Sequence, residues 1–456
     1  ETLKGYGITH VFFVEAILRY TLKELEALGI RRVLTHSEKA AAYMADGYAR
    51  GSRKFGLCMS QSVGAANIAS GLQDAFLGAS PVIALTGRAL PIAQHRHAYQ
   101  EVDHAPLFDA VTKFNALVET PDQLPYLLRQ AIREAMSGTP GPVHLDFPED
   151  AAEELSDEDA SAFQPVPPGL PPYDENKLKK AIELLRKAKR PLVAIGLTMN
   201  RAGATREFLE FVNKHRLPVV TTLMAKGHVP HEGSQLVGVV GRARRDIVAE
   251  YYKPADLVLA IGYDPVEFNY EDWVRKDLPL IHIDTVPADI AGEYSLAGEV
   301  VGDIRAILRE LLKEPRIEHQ WDLDALKAHR EQLHRALTPR QANFSPHHAL
   351  LAMREIMPAD SFLVSDVGAH THIIGQLWDA KGPGNFLVSN GWSSMGFGLP
   401  AAIAAALLQR DGSGGAATSP APVICVCGDG GFLMSCGEIS TARRLGLPIV
   451  VVVVSD

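Results

Sequence analysis

The sequence predicts an α/β protein of three doubly wound parallel-sheet units. Three observations carry this. Helical and strand-like stretches alternate in three successive segments of the 456 residues. The strand-like stretches are short and apolar, and strands that alternate with helices predict a parallel sheet covered on both faces. A glycine-rich turn (Gly428, Asp429, Gly430, Gly431) follows the apolar run 423–427, as expected at a strand end where the backbone turns tightly and approaches a ligand.

The first unit spans residues 1–150. Helical periodicity runs through 15–28, 38–50 and 121–136, and apolar runs follow at 81–85 and 142–147. Residues 151–172 are acidic and then proline-rich, a composition that buries little and reads as a linker. The central unit spans 173–315, with candidate strands at 192–195, 218–221, 257–261 and 280–283. A charged helical connection occupies 316–345. The third unit runs from 346 to 456, with strands at 362–364, 423–427 and 449–454, a helix at 399–408 and a surface loop at 411–420. A strand such as 449–454 normally continues into a loop and a helix, so this unit is expected to be C-terminally incomplete.

Composition excludes several classes. A hydrophobic fraction of 46% with 22% charged residues excludes a disordered, collagen-like or coiled-coil chain. With 45 basic against 54 acidic residues, the net charge of −9 argues against a phosphate-tracking nucleic-acid binder. Four cysteines do not make a disulfide framework, and Cys425 and Cys427 alternate within a strand. The run 449–454 is far short of the roughly 20 apolar residues a membrane-spanning helix needs. With no secretory signal in view, the expected location is the cytoplasm. No Gly-x-Gly-x-x-Gly follows the first strand of any unit, which argues against an NAD dehydrogenase.

Asp429 ends one strand in front of a helix, and Asp456 follows the next strand 27 residues later. If those strands are neighbours, both carboxylates reach one sheet edge. Two hard oxygen ligands there suit Mg²⁺ holding a diphosphate.

This spacing resembles the diphosphate-binding motif of thiamine-diphosphate enzymes, and the resemblance extends over residues 8–456. It is greatest to the acetolactate synthase (acetohydroxyacid synthase) group. The segment Gly262-Tyr263-Asp264-Pro265-Val266-Glu267 and an aspartate at the second metal position are similar to the catabolic type. The resemblance names the three units pyrimidine-binding, central and diphosphate-binding. It implies thiamine diphosphate and Mg²⁺ as cofactors, with Asp429 and Asp456 as metal ligands.

The same resemblance places Glu38 at the family's cofactor-activating glutamate. There a buried carboxyl hydrogen-bonds the aminopyrimidine, so that the thiazolium carbon can lose its proton. Read without the resemblance, Glu38 is an acid complementing a helix dipole. Gly64, Val367, Gly368, His370 and Met395 fall at cofactor-binding positions, with Met395 as the wedge that folds the two rings together. Gly428, Asp429, Gly430 and Gly431 form the diphosphate turn. Tyr99 and Gln100 match the substrate pocket, Gln100 as a catalytic donor, and Lys113 matches a lysine near its entrance or else a solvated surface lysine. Departures occur at Ser62-Val63, at 12–16 and at Ala369, where the family has Gly-Pro, a Pro-Gly turn and Gln. A zinc site on His95, His97, Glu101 and His104 lacks a completing ligand pattern.

The activity implied is decarboxylation of a pyruvate-like 2-oxoacid with carboligation. Alternatives are a non-ligating decarboxylase, an acyl-transferring or oxidase member, and an inactive binding homologue. FAD is possible in the central unit, on 221–227, although the 262–267 segment points to a flavin-free member. A homodimer or homotetramer with the site shared between chains is expected.

Overall fold

The computed structural model describes residues 1–456 except 16, 157–168, 171, 232–234, 290–291, 293, 340–343, 412–420 and 456. Contacts group residues 1–168, 362–367 and 391–456 into one compact unit, and 169–361 and 368–390 into another.

The first unit opens with strands β1 (His10–Phe13), β2 (Arg31–Leu34), β3 (Gly56–Gln61), β4 (Val82–Arg88), β5 (Phe114–Leu117) and β6 (Val143–Pro148). They form a sheet of order β2-β1-β3-β4-β6-β5, parallel throughout. Interior strands such as β6 are buried at every position, whereas the edge strands β2 and β5 are half exposed. The helix Glu38–Ser52 starts where the Ser37 hydroxyl accepts the Ala40 N–H at 3.1 Å, a side-chain N-cap. It ends where Arg53 turns left-handed, at φ 59°. Ten consecutive residues, Ala40 to Ala49, are buried, so this helix is covered on all sides.

In the second unit, β7 (Pro191–Ile195), β8 (Val219–Thr221), β9 (Leu236–Val239), β10 (Leu257–Ile261), β11 (Pro279–Asp284) and β12 (Ser295–Val301) form a sheet of order β12-β11-β10-β7-β8-β9. Its two faces bury different residues of the same strand. Val193 and Ile195 enter one apolar cluster, and Leu192 and Ala194 the other. That alternation explains why these strands read as unbroken apolar runs.

The remaining strands are β13 (Phe362–Ser365), β14 (Phe386–Val388), β15 (Val423–Gly428) and β16 (Ile449–Val454). In the first unit, β15 pairs in parallel with β13 on one side and β16 on the other. The helix Gly398–Arg410 is buried from Gly398 to Leu408 and packs on the helix Glu38–Ser52. Small residues permit the approach: a Cβ on Gly47 would lie 2.8 Å from Ala401 Cα.

The three parallel sheets agree with the predicted fold class, and the predicted strands are present. Strands β2, β5, β9, β12 and β14 were not anticipated. Residues 15–28 are helical only over Arg19–Ala27, and the helix Glu149–Glu153 overlaps the start of the expected linker. Most of that linker and of the loop 411–420 lies outside the described residues. Among the described residues, no helix is long and apolar enough to cross a membrane.

Candidate active site

Glu38 is the first residue of its helix and is half-buried. Its carboxylate accepts from Asn67 Nδ2 at 3.0 Å. It rests against Gly64, in the first turn of the helix Ser62–Leu77 that follows β3. A Cβ on Gly64 would lie 2.6 Å from Glu38 Cγ, 2.9 Å from its Oε1 and 1.9 Å from Ser60 Oγ. The glycine therefore makes the space that Glu38 occupies. Gln61, at the end of β3, donates to Gln100 Oε1 at 3.3 Å, and Gln100 donates to Tyr99 Oη at 3.1 Å. Gln100 sits at φ 58°, a left-handed backbone that non-glycine residues adopt uncommonly. Tyr99 is almost fully exposed.

Lys113, expected near the substrate entrance or else at the solvated surface, is held at a helix end. Its Nζ donates to the carbonyls of Glu134 (2.7 Å) and Ser137 (2.6 Å), at the C-terminal end of the helix Leu124–Met136. An ammonium there satisfies orphan carbonyls and complements the helix dipole. Two of the residues considered for zinc, Glu101 and His104, have other partners. Glu101 accepts the amide N–H groups of Ala98, His95 and Arg96, which hold its carboxyl below the usual range. His104 is buried against Thr86 and Asp146.

The second half of the site surrounds the turn after β15. Asp429 is exposed at the start of the helix Asp429–Ser435, and its Oδ1 accepts the Gly430 N–H at 2.8 Å. A Cβ on Gly430 would lie 2.8 Å from Met395 Cε, and one on Gly431 would lie 2.8 Å from Asp366 Oδ2. At Gly431 a side chain would collide with the fixed carboxylate of Asp366, at Gly430 it would displace the end of Met395, and Met395 therefore lies on the turn. An exposed hard carboxylate on a bare backbone turn at a helix N-terminus fits a divalent cation and a diphosphate. Gly428 pairs with Val454 across β15 and β16, so the two strand ends are neighbours. Asp456 lies outside the described residues. Val367 follows β13 in the first unit; Gly368 and the buried His370 belong to the second.

Asp366 was missed as a site residue. It is 1% exposed, and its carboxylate accepts N–H groups from Val367 (2.6 Å), Gly396 (3.0 Å) and Gly398 (3.3 Å). Burial raises its pKa against those donors. It fixes the segment carrying Met395 beneath the turn. Tyr43, on the Glu38 helix, hydrogen-bonds Ser394, which joins that helix to the same segment. Asp366 and Asn67 lie in segments, 365–370 and 60–67, that resemble the family's strand ends, but neither was assigned a role of its own.

In the second unit, Glu267 closes the strand ends. Its carboxylate accepts from Leu197 N (2.7 Å), Thr222 Oγ1 (2.6 Å) and Met224 N (2.9 Å), after β7 and β8. Burial pushes its pKa up to about 7, and does the same to Asp284 at the end of β11.

Models of thiamine pyrophosphate enzymes match three successive stretches: the N-terminal TPP binding domain over residues 1–107, the central domain over 178–311 and the C-terminal TPP binding domain over 366–456. The chain belongs to the thiamine pyrophosphate enzyme family. Within it the chain is similar to acetolactate synthases. It is 31% identical over 476 residues to the acetolactate synthase of Bacillus subtilis, covering 100% of this chain and 80% of that protein. It is 30% identical over 465 residues to the large subunit of acetolactate synthase isozyme 2 of Escherichia coli, covering 100% and 82%. A solved Mycobacterium smegmatis structure, described as a thiamin diphosphate-dependent enzyme, shares the fold at a TM-score of 0.83 and 21% identity, over 100% of this chain and 86% of that one.

Proposed function

We propose that this chain catalyses thiamine-diphosphate-dependent decarboxylation of a pyruvate-like 2-oxoacid with carboligation, in the manner of an acetolactate synthase of the catabolic type. The observation that carries the reading is Glu38, set at a helix start in a space that Gly64 leaves open and oriented by Asn67. When bound, the cofactor's thiazolium supplies the electron sink for loss of CO₂. Glu38 holds or gives up a proton at its carboxyl oxygen toward the aminopyrimidine. Asp429 would hold Mg²⁺ and with it the diphosphate, and Asp456 is the second candidate ligand. Met395 would support the cofactor's rings, and Gln100 would donate to the substrate from the loop it shares with Tyr99.

The site is read as shared between two copies of the chain, in a homodimer or homotetramer. Val63, beside Gly64, and Met395, Leu433 and Met434, beside the diphosphate turn, are large apolar side chains exposed in the single chain. A second copy would cover them. The central unit is read as flavin-free. The N–H groups of Leu197 and Met224, which could cradle a phosphate at the strand ends, already bind the carboxylate of Glu267. Flavin absorbance in the purified protein would overturn that reading.

The reaction is tested with pyruvate, thiamine diphosphate and Mg²⁺, following CO₂ and, after acid treatment, acetoin. Glu38→Gln cannot share the proton, and turnover is expected to fall on the order of 100-fold or more. Wild-type turnover in that variant would refute the mechanism.

A further inference from the structure

We propose that Glu438 is a positioning residue for Glu38, tying the start of the Glu38 helix to the helices that follow the diphosphate turn. The inference rests on reading Glu38 as the cofactor-activating acid. Glu438 opens the helix Glu438–Arg444, which comes directly after the helix carrying Asp429. An acid at that place ordinarily complements the helix dipole from the surface. Glu438 instead is 2% exposed, and its two oxygens are used elsewhere.

Oε1 accepts the backbone N–H of His36 at 2.8 Å and of Ser37 at 3.2 Å. Oε2 accepts the hydroxyl of Thr441 at 2.7 Å, and Thr441 also meets His36 Nδ1 at 3.0 Å. Arg444 adds a hydrogen bond to the carbonyl of Leu34. One short helix therefore grips the chain at 34, 36 and 37, immediately before Glu38. Ser37 is the N-cap, so the peptide that Glu438 holds is the one that sets where the helix begins.

The grip has a functional consequence because Glu38 has little freedom of its own. Gly64 and Ser60 bound it on one side, so its oxygen goes where the helix start puts it. Removal of Glu438 leaves two backbone N–H groups without their acceptor, which favours a different path for 35–37. The same link gives the metal turn a mechanical route to Glu38 within one chain. If the site is shared, that route runs from the cofactor held by one chain to the acid serving the other.

The test uses full-length Glu438→Ala and Glu438→Gln. A glutamine carbonyl can still accept both N–H groups while its amide donates to Thr441, so Gln should rescue what Ala loses. Three quantities are measured: backbone amide exchange of the segment 34–41 by mass spectrometry without cofactor, deuterium exchange at C2 of bound thiamine diphosphate, and cofactor affinity. Glu438→Ala should exchange 34–41 faster by about tenfold, slow C2 exchange on the order of 10- to 100-fold, and leave affinity within about threefold. Wild-type protection and C2 exchange in Glu438→Ala would overturn the proposal. Should Glu438→Ala fail to fold, Thr441→Val removes only the hydroxyl that fixes Glu438. It should shift both exchange rates the same way by a smaller factor, and no shift overturns the proposal. The reading of Glu38 fails separately: Glu38→Gln would then turn over normally while Glu438→Ala still loosens 34–41.

Discussion

Replacing Gly64 by alanine separates stability from activity at this site. The added Cβ would lie 1.9 Å from Ser60 Oγ, 2.6 Å from Glu38 Cγ and 2.9 Å from Glu38 Oε1. Ordinary carbon contacts are about 3.5–4.0 Å, so Glu38 must withdraw by roughly 1 Å. Overpacking of this kind costs about 1–3 kcal/mol. Against that, alanine is favoured over glycine in a helix interior by about 1 kcal/mol, so the net loss of stability should be only about 0–2 kcal/mol. The effect on turnover is larger, because a displacement of about 1 Å at a reacting group can cost on the order of 100-fold. The second variant is Gly64→Ala with Ser60→Ala. Among the described residues the buried Ser60 hydroxyl has no hydrogen-bond partner, so its removal relieves the shortest contact at little cost. The double variant should regain stability, by thermal or denaturant unfolding, but not turnover on pyruvate. Wild-type turnover in the double variant would show that the position of Glu38 does not matter to the chemistry.

Asp429→Ala removes a hard anionic ligand. Thiamine diphosphate affinity should fall and lose its dependence on Mg²⁺, and unchanged Mg²⁺-dependent binding by titration would dismiss the metal assignment. Lys113→Met should lower stability by about 1 kcal/mol through two lost helix-end hydrogen bonds, with KM for the 2-oxoacid unchanged; a raised KM would restore the lysine to the substrate entrance. Burial lifts the Glu267 carboxyl to about 7, above its usual 4.5. The folded protein then holds a proton that the unfolded chain has lost, so this group's contribution to stability is present below pH about 4.5 and is lost as pH rises through about 7. Wild-type stability should fall relative to Glu267→Gln by about 3 kcal/mol across that window, and parallel pH profiles would contradict the shift.

The strands missed, β2, β5, β9, β12 and β14, all lie at sheet edges, although the edge strand β16 was legible as an apolar run. Runs such as 192–195 and 257–261 lie in interior strands buried on both faces, so every residue is apolar. Arg31-Arg32-Val33-Leu34 exposes its first and last residues, and Ser295–Val301 has one fully buried residue in seven, so neither can read as an apolar run. At the site, Gly428 to Gly431 and Glu38 were legible because a turn and a helix start are local events. Asp366 and Glu438 were not. Asp366 acts on backbone about 30 residues away and Glu438 on backbone about 400 away, and a single sequence carries no local mark of such contacts.

The same geometry bears on the two readings of Glu38 that the sequence left side by side, and it supports the proposed one. A carboxylate that merely complements a helix dipole can stand anywhere in the first turn, with its oxygens in water, and asks nothing of its neighbours. Glu38 asks a great deal. A following helix carries in its first turn a residue that must lack a side chain for Glu38 to fit as it does, Asn67 on that helix holds one oxygen, and Glu438 holds the peptide that places the helix start. Each of these constraints fixes position rather than charge. A residue whose surroundings fix its position so closely is one whose position can be used, and the use proposed for this carboxyl is to hold a proton against the cofactor's ring.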